Sequence, residues 1–122
     1  MSHALSVLLV DDDPHSQAVF ELVMQHFNLP FSMVDDAESA LTFLEANAPD
    51  IVLMDIFLPG LDGYQALDRI RRTALAPGSL IIATTAYYTH DTEQEVLQRG
   101  FDGYVPKPFD KGLVSYLQSV VG

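Results

Sequence analysis

Five short runs rich in Val, Ile and Leu, each followed by a segment with apolar residues at helical spacing, constrain this chain more than any other feature. The first run, Ser6-Val7-Leu8-Leu9-Val10, is apolar without a break. A strand with one wet face alternates polar and apolar residues. A strand covered on both faces does not, so the run reads as a parallel strand between helices. Asp13 then offers an N-cap and Pro14 a first-turn residue, and Val19, Phe20, Val23, Met24 and Phe27 fall on one helical face. Phe31 to Val34 predicts a shorter second strand. Asp36 can cap the next helix, whose stripe is Ala37, Ala40, Leu41 and Leu44 and which Pro49 ends. Ile51-Val52-Leu53-Met54 is a third strand leading straight into Asp55. Pro59-Gly60 and Asp62-Gly63 mark a loop, and Pro77-Gly78 a second break. Between them the spacing predicts a helix from about Tyr64 to Thr73, with Tyr64, Leu67 and Ile70 inward. Leu80 to Thr84 is a fourth strand, followed by a helix from about Asp91 to Arg99 that Gly100 stops. Tyr104-Val105 is a short fifth strand, and the last helix starts near Asp110 with Leu113, Leu117, Val120 and Val121 toward the core.

Strict alternation of strand and helix predicts an α/β fold: a doubly wound, five-stranded parallel sheet of order 2-1-3-4-5, the flavodoxin-like (βα)5 arrangement. A length of 122 residues fits one domain, and 48% apolar residues suffice for one core. No repeat or linker interrupts residues 1–122, and both ends fall near outer elements. The expectation is a single domain without room for an output domain. The chain has no cysteine, which excludes disulfides, thiolate zinc sites and a cysteine nucleophile. A formal net charge of −11 repels nucleic-acid phosphates and anionic membranes, so neither is an expected partner. The only basic cluster, Arg69, Arg71 and Arg72, reads as a solvated helix face. The apolar run Ala4 to Val10 has no Lys or Arg before it and three aspartates after it, unlike a signal peptide. No stretch is long enough to span a bilayer, and the expected location is the cytoplasm.

Polar residues collect directly after the strands. Asp11 and Asp12 follow the first, Asp55 ends the third, Thr85 follows the fourth and Lys107 the fifth. In a parallel sheet these positions share one edge, where doubly wound folds bind ligands near the reversal of strand order. Here that reversal lies between strands one and three, which gathers Asp11, Asp12 and Asp55 around one crevice. At ~4 Å each carboxylate pair costs about 1 kcal/mol in water and roughly 4 kcal/mol at an effective dielectric of 20. A hard divalent cation offsets this, and Mg²⁺ suits a site that also holds a phosphoryl group. Lys107 adds a movable positive charge and Thr85 a hydroxyl. Together they describe a phosphoryl-transfer site with Asp55 as nucleophile, Asp12 as direct metal ligand and Asp11 as a ligand largely through water.

The segments Val7 to Asp13, Asp50 to Asp55, Leu58 to Gly63, Thr85-Ala86 and Gly103 to Phe109 resemble, in order and spacing, the receiver domains of two-component response regulators, the family that includes CheY. The resemblance covers essentially the whole chain. It implies transfer of a phosphoryl group to Asp55 from a phosphohistidine on a histidine kinase or histidine phosphotransfer protein. It implies Mg²⁺, with Mn²⁺ or Ca²⁺ able to substitute, and a metal shell completed by the backbone carbonyl of Phe57. Thr85 then moves toward the phosphoryl group and Tyr104 swings inward behind it. Partner affinity changes at the face formed by the fourth helix, fifth strand and fifth helix. The Lys107–Pro108 bond is expected to be cis on the same ground. Phe57 and Tyr87 are departures, large aromatic rings at positions that in this family tune phosphoryl loss. They imply a long-lived phosphoform.

Taken singly, these residues have plainer readings. Asp11 and Asp12 could be capping acids, Asp55 a solvated loop acid, Thr85 a turn residue and Lys107 a surface lysine. Their joint placement favours the site. Asp13 reads as a cap only, and Asp62 as a loop acid. His3, His15, His26 and His90 lack metal-ligand spacing. Tyr87 and Tyr88 mark a partner surface or cover the fourth helix. One rival is a small haloacid-dehalogenase-like phosphatase using Asp11 and Asp13, although the chain is short for that family and lacks an acidic motif after Lys107. Another is a binding scaffold that never takes phosphate. The expected protein is a non-enzymatic phosphoacceptor, a monomer or weak dimer. The sequence does not separate CheY-like output from a phosphorelay shuttle, and the downstream target is not readable from it.

Overall fold

A computed structural model of the chain describes residues 5–121; His3 and Ala4 lie outside them. The elements follow the expected alternation: β1 Val7–Val10, α1 Pro14–His26, β2 Phe31–Val34, α2 Ala37–Ala46, β3 Ile51–Asp55, α3 Gly63–Arg72, β4 Leu80–Thr85, α4 Thr92–Gln98, β5 Gly103–Pro106 and α5 Gly112–Val121. All strand pairs are parallel and the sheet order is β2-β1-β3-β4-β5.

The uninterrupted apolar runs are explained by two core layers, one on each sheet face. Leu8, Val10, Val52, Met54, Ile81 and Ala83 point to one layer, with Ala40, Leu44, Leu67 and Ile70 from α2 and α3 and Val96 from α4. Val7, Leu9, Ile51, Leu53 and Ile82 point to the other, with Phe20 and Met24 of α1 and Leu113 and Leu117 of α5. Successive strand residues serve opposite layers, so runs such as Val7 to Val10 and Ile51 to Met54 carry no polar residue. Burying each large side chain contributes roughly 1.5–3 kcal/mol.

Caps fix where the helices begin. Asp13 accepts from the His15 amide and the Ser16 hydroxyl, and Asp36 accepts from the Ser39 amide at 2.7 Å. Asp62 is no loop acid. It is the N-cap of α3, accepting from the Gln65 amide at 2.8 Å while Gln65 Oε1 accepts from the Asp62 amide at 2.9 Å. This reciprocal pair is written in the sequence as Asp-x-x-Gln.

Several expectations need correction. Phe27 and Val121 are exposed, because each lies at a helix end that runs past the sheet. Thr85 is the last residue of β4 rather than the first after it. Asp110 lies just before α5 and accepts from the Gly112 amide at 2.8 Å. The arginines of α3 are not merely solvated. Arg71 donates to Asp102 at 3.0 Å, and Asp102 also accepts from the Ile81 amide, which ties α3 to the start of β5 through β4. Arg72 pairs with Asp68 one turn away. No helix among the described residues is long and apolar enough to cross a membrane.

Candidate functional site

The C-terminal edge of the sheet brings the expected acids together. One carboxylate oxygen from each of Asp11, Asp12 and Asp55 lies within 4.8 Å of the others. Asp11 and Asp55 are buried and Asp12 is exposed, so the crevice opens to solvent on the Asp12 side.

Each buried acid is held from two sides. Asp11 Oδ1 accepts from the Asp13 amide at 2.9 Å, and its backbone amide donates to the Val34 carbonyl at 3.1 Å. Gln17 Nε2 bonds the Asp11 carbonyl and Asp35, both at 2.7 Å, which braces the loop after β1. Asp55 Oδ1 accepts from the Phe57 amide at 2.9 Å. The second oxygens of both acids converge on Lys107, whose Nζ donates to Asp11 Oδ2 at 2.8 Å and Asp55 Oδ2 at 2.9 Å. Lys107 is 8% exposed, and its peptide bond to Pro108 is cis.

These contacts set the electrostatics. Burial pushes the Asp55 carboxyl above its ordinary range and repulsion from Asp11 adds to the effect; the Phe57 amide and Lys107 offset it only in part. Burial alone lowers the proton affinity of Lys107, but its hydrogen bonds to Asp11 and Asp55 outweigh this and raise its pKa. The lysine therefore stays charged. Three carboxylates against one ammonium leave an excess of two negative charges when all are ionised. A cluster of hard oxygen donors with that excess, open on one side, fits a divalent cation such as Mg²⁺.

Thr85 and Tyr104 lie behind this cluster. The Thr85 hydroxyl accepts from the Tyr87 amide at 3.0 Å, and Thr85 itself is fully buried. The Tyr104 hydroxyl is buried without a hydrogen-bond partner among the described residues, and burial raises its pKa. At the site's mouth the rings of Phe57 and Tyr87 meet edge to face at 5.7 Å. Tyr87 and Tyr88 are both exposed.

Three further residues escaped the sequence reading. Gly63 was legible only as a turn marker. A Cβ there would lie 2.5 Å from Ile56 Cα and 2.6 Å from the Asp55 carbonyl, so the start of α3 presses directly on the peptide that carries Asp55. The Gly63 amide also donates to the Ile56 carbonyl at 3.1 Å. Tyr116 on α5 accepts from the Tyr104 amide at 3.0 Å and anchors β5. Thr84, one residue before Thr85, is fully buried with its hydroxyl unpaired among the described residues.

The chain matches the family model described as the response regulator receiver domain over residues 7–116. It is 33% identical over 113 residues to the sensor protein GacS of Pseudomonas syringae pv. syringae, covering 90% of this chain and 12% of GacS. It is 33% identical to the transcriptional regulatory protein CseB of Streptomyces avermitilis, covering 99% of this chain and 51% of CseB. The chain thus spans about half the length of CseB and about an eighth of GacS. Among solved structures, the receiver domain of the sensor histidine kinase PA1611 from Pseudomonas aeruginosa PAO1 superposes with a TM-score of 0.83 at 30% identity. It covers 98% of this chain and 100% of that one, and it holds a magnesium ion in its active-site cleft. With this fold, this cluster of acids and this match along nearly all its length, the chain belongs to the receiver domains of two-component response regulators.

Proposed function

We propose that this receiver domain accepts a phosphoryl group on Asp55 from a phosphohistidine of a histidine kinase or histidine phosphotransfer protein. A carboxylate oxygen of Asp55 forms the new O–P bond as the donor's N–P bond breaks, and the electron pair leaves on the imidazole nitrogen. The observation that carries this reading is the joint hold on Asp55: Phe57 fixes one oxygen and Lys107 bridges the other to Asp11. Asp11, Asp12 and Asp55, with the Phe57 carbonyl, would hold Mg²⁺, which supplies charge neutralisation for the transferred group. The magnesium in the PA1611 receiver supports this assignment. Lys107 contributes a second positive charge to the equatorial oxygens, and Thr85 a hydroxyl once it leaves the Tyr87 amide. Tyr104, whose buried hydroxyl lacks a partner among the described residues, follows Thr85 and carries the change to the face formed by α4, β5 and α5. Output then runs through protein partners at that face or through onward phosphotransfer. The protein acts as a phosphoacceptor rather than a turnover enzyme, and neither nucleic acid nor membrane is its target.

Incubation with acetyl phosphate tests the reading by intact mass. One phosphoryl group is expected with Mg²⁺, and none with chelator or in Asp55→Asn. Labelling of Asp55→Asn at the wild-type level would refute it. The Phe57–Tyr87 pair screens the acyl phosphate from attacking water and predicts a long-lived phosphoform. Dephosphorylation should be faster in Phe57→Asn than in wild type; a slower variant contradicts the screen.

A further inference from the structure

We propose that Thr84 is a positioning residue for Lys107, an inference that rests on the phosphoacceptor reading of Asp55. Lys107 follows β5 and Asp55 ends β3, so the lysine side chain must cross β4 to make its 2.9 Å contact. The register aligns Asp55 with Thr84 and Thr84 with Val105. Two residues earlier, Leu53 and Ile82 both belong to the core layer shared with α1 and α5, as does Val105. By strand alternation Asp55, Thr84 and Lys107 therefore share that face, whereas Thr85 faces the opposite layer. On that face Thr84 is the β4 residue that stands in register between Asp55 of β3 and Val105 of β5.

Its hydroxyl is also anomalous. Thr84 is fully buried, and the Oγ1 has no hydrogen-bond partner among the described residues. A buried, unpaired hydroxyl destabilises the state in which it is unpaired, whereas valine would fill the space with no polar atom. The lysine ammonium has three N–H groups, and two are committed to Asp11 and Asp55. When the Asp55 carboxylate becomes an acyl phosphate, that oxygen loses its full charge and the ammonium must turn toward the transferred group. The Thr84 hydroxyl then accepts the third N–H and fixes the lysine in its new direction. An interaction made only as charge leaves Asp55 accelerates the step rather than the binding before it.

The test compares wild type, Thr84→Val and Thr84→Ser under acetyl phosphate and Mg²⁺, together with melting of the unmodified, metal-free proteins. Thr84→Val should be phosphorylated roughly ten- to a hundredfold more slowly, the scale of one hydrogen bond to a charged group. Its melting temperature should equal or exceed that of wild type, because no paired hydroxyl is lost. Thr84→Ser keeps the oxygen and should restore a near-wild-type rate. Equal rates for Thr84→Val and wild type, a serine variant as slow as valine, or a lower melting temperature for valine would each overturn the role of Thr84 while leaving the phosphoacceptor reading intact. A wild-type protein that takes no phosphoryl group would overturn both.

Discussion

The crevice at the sheet edge and the helix N-termini around it both use aspartate, with opposite consequences. In the crevice, burial raises the pKa of Asp55, and its contact with Lys107 offsets this only in part. At the N-termini, Asp13 is exposed and Asp36 half-buried; both accept hydrogen bonds, and those bonds lower their pKa. Capping carboxylates thus stabilise the fold when ionised, whereas the crevice carboxylate opposes it. The same side chain serves architecture in one place and stores unfavourable charge in the other, where a ligand can relieve it.

The most severe way to break this contrast is to remove the lysine. Lys107→Met leaves two buried acids without their ammonium and should cost about 3–5 kcal/mol in the metal-free protein, as for a broken buried ion pair. Urea unfolding measures it, and added Mg²⁺ should recover part of the loss. A cost below that of a surface ion pair would erase the distinction between the two regions. Gly63→Ala tests the support beneath Asp55. Its Cβ meets the Asp55 and Ile56 backbone, so roughly 1–3 kcal/mol of overpacking is expected, with slower phosphorylation. At the caps, Asp62→Ala should cost about 1 kcal/mol and leave the phosphorylation rate unchanged.

The smallest expected effect has the opposite sign. Asp55→Asn should stabilise the metal-free protein at neutral pH by roughly 1 kcal/mol, the scale of one like-charge pair in water. Because the folded pKa of Asp55 is raised, its contribution favours folding below the ordinary value of 3.8 and is lost as pH rises through the folded value. The advantage of Asp55→Asn should therefore vanish in acid. Asp13 has a lowered pKa, so its stabilisation is present above 3.8 and fades as pH falls through the folded value. Thermal melts of each variant across pH separate the two behaviours.

Much of this was legible in the sequence because it depends on local pattern. Uninterrupted runs such as Ile51 to Met54 encode burial on both faces, and an acid at the end of such a run must lie at the sheet edge. Asp55 and Lys107 could be placed together for that reason. The Asp62–Gln65 capping box is equally local, but the adjacent Pro59-Gly60 and Asp62-Gly63 turn signals mask it. What was not legible depends on register and close approach. Gly63 is constrained by backbone from another element. Thr84 reads as an ordinary strand residue until its alignment with Asp55 is known. Phe27 and Val121 fit the helical stripe, but periodicity does not say where the sheet stops covering it.

The most direct test of the central claim locates the acyl phosphate. Borohydride reduction of the phosphorylated protein converts an aspartyl phosphate to homoserine, and peptide mapping finds the position. The account predicts homoserine at residue 55 alone, formed only when Mg²⁺ was present. Homoserine at residue 11 or 13 would contradict it and place the nucleophile on the loop after β1.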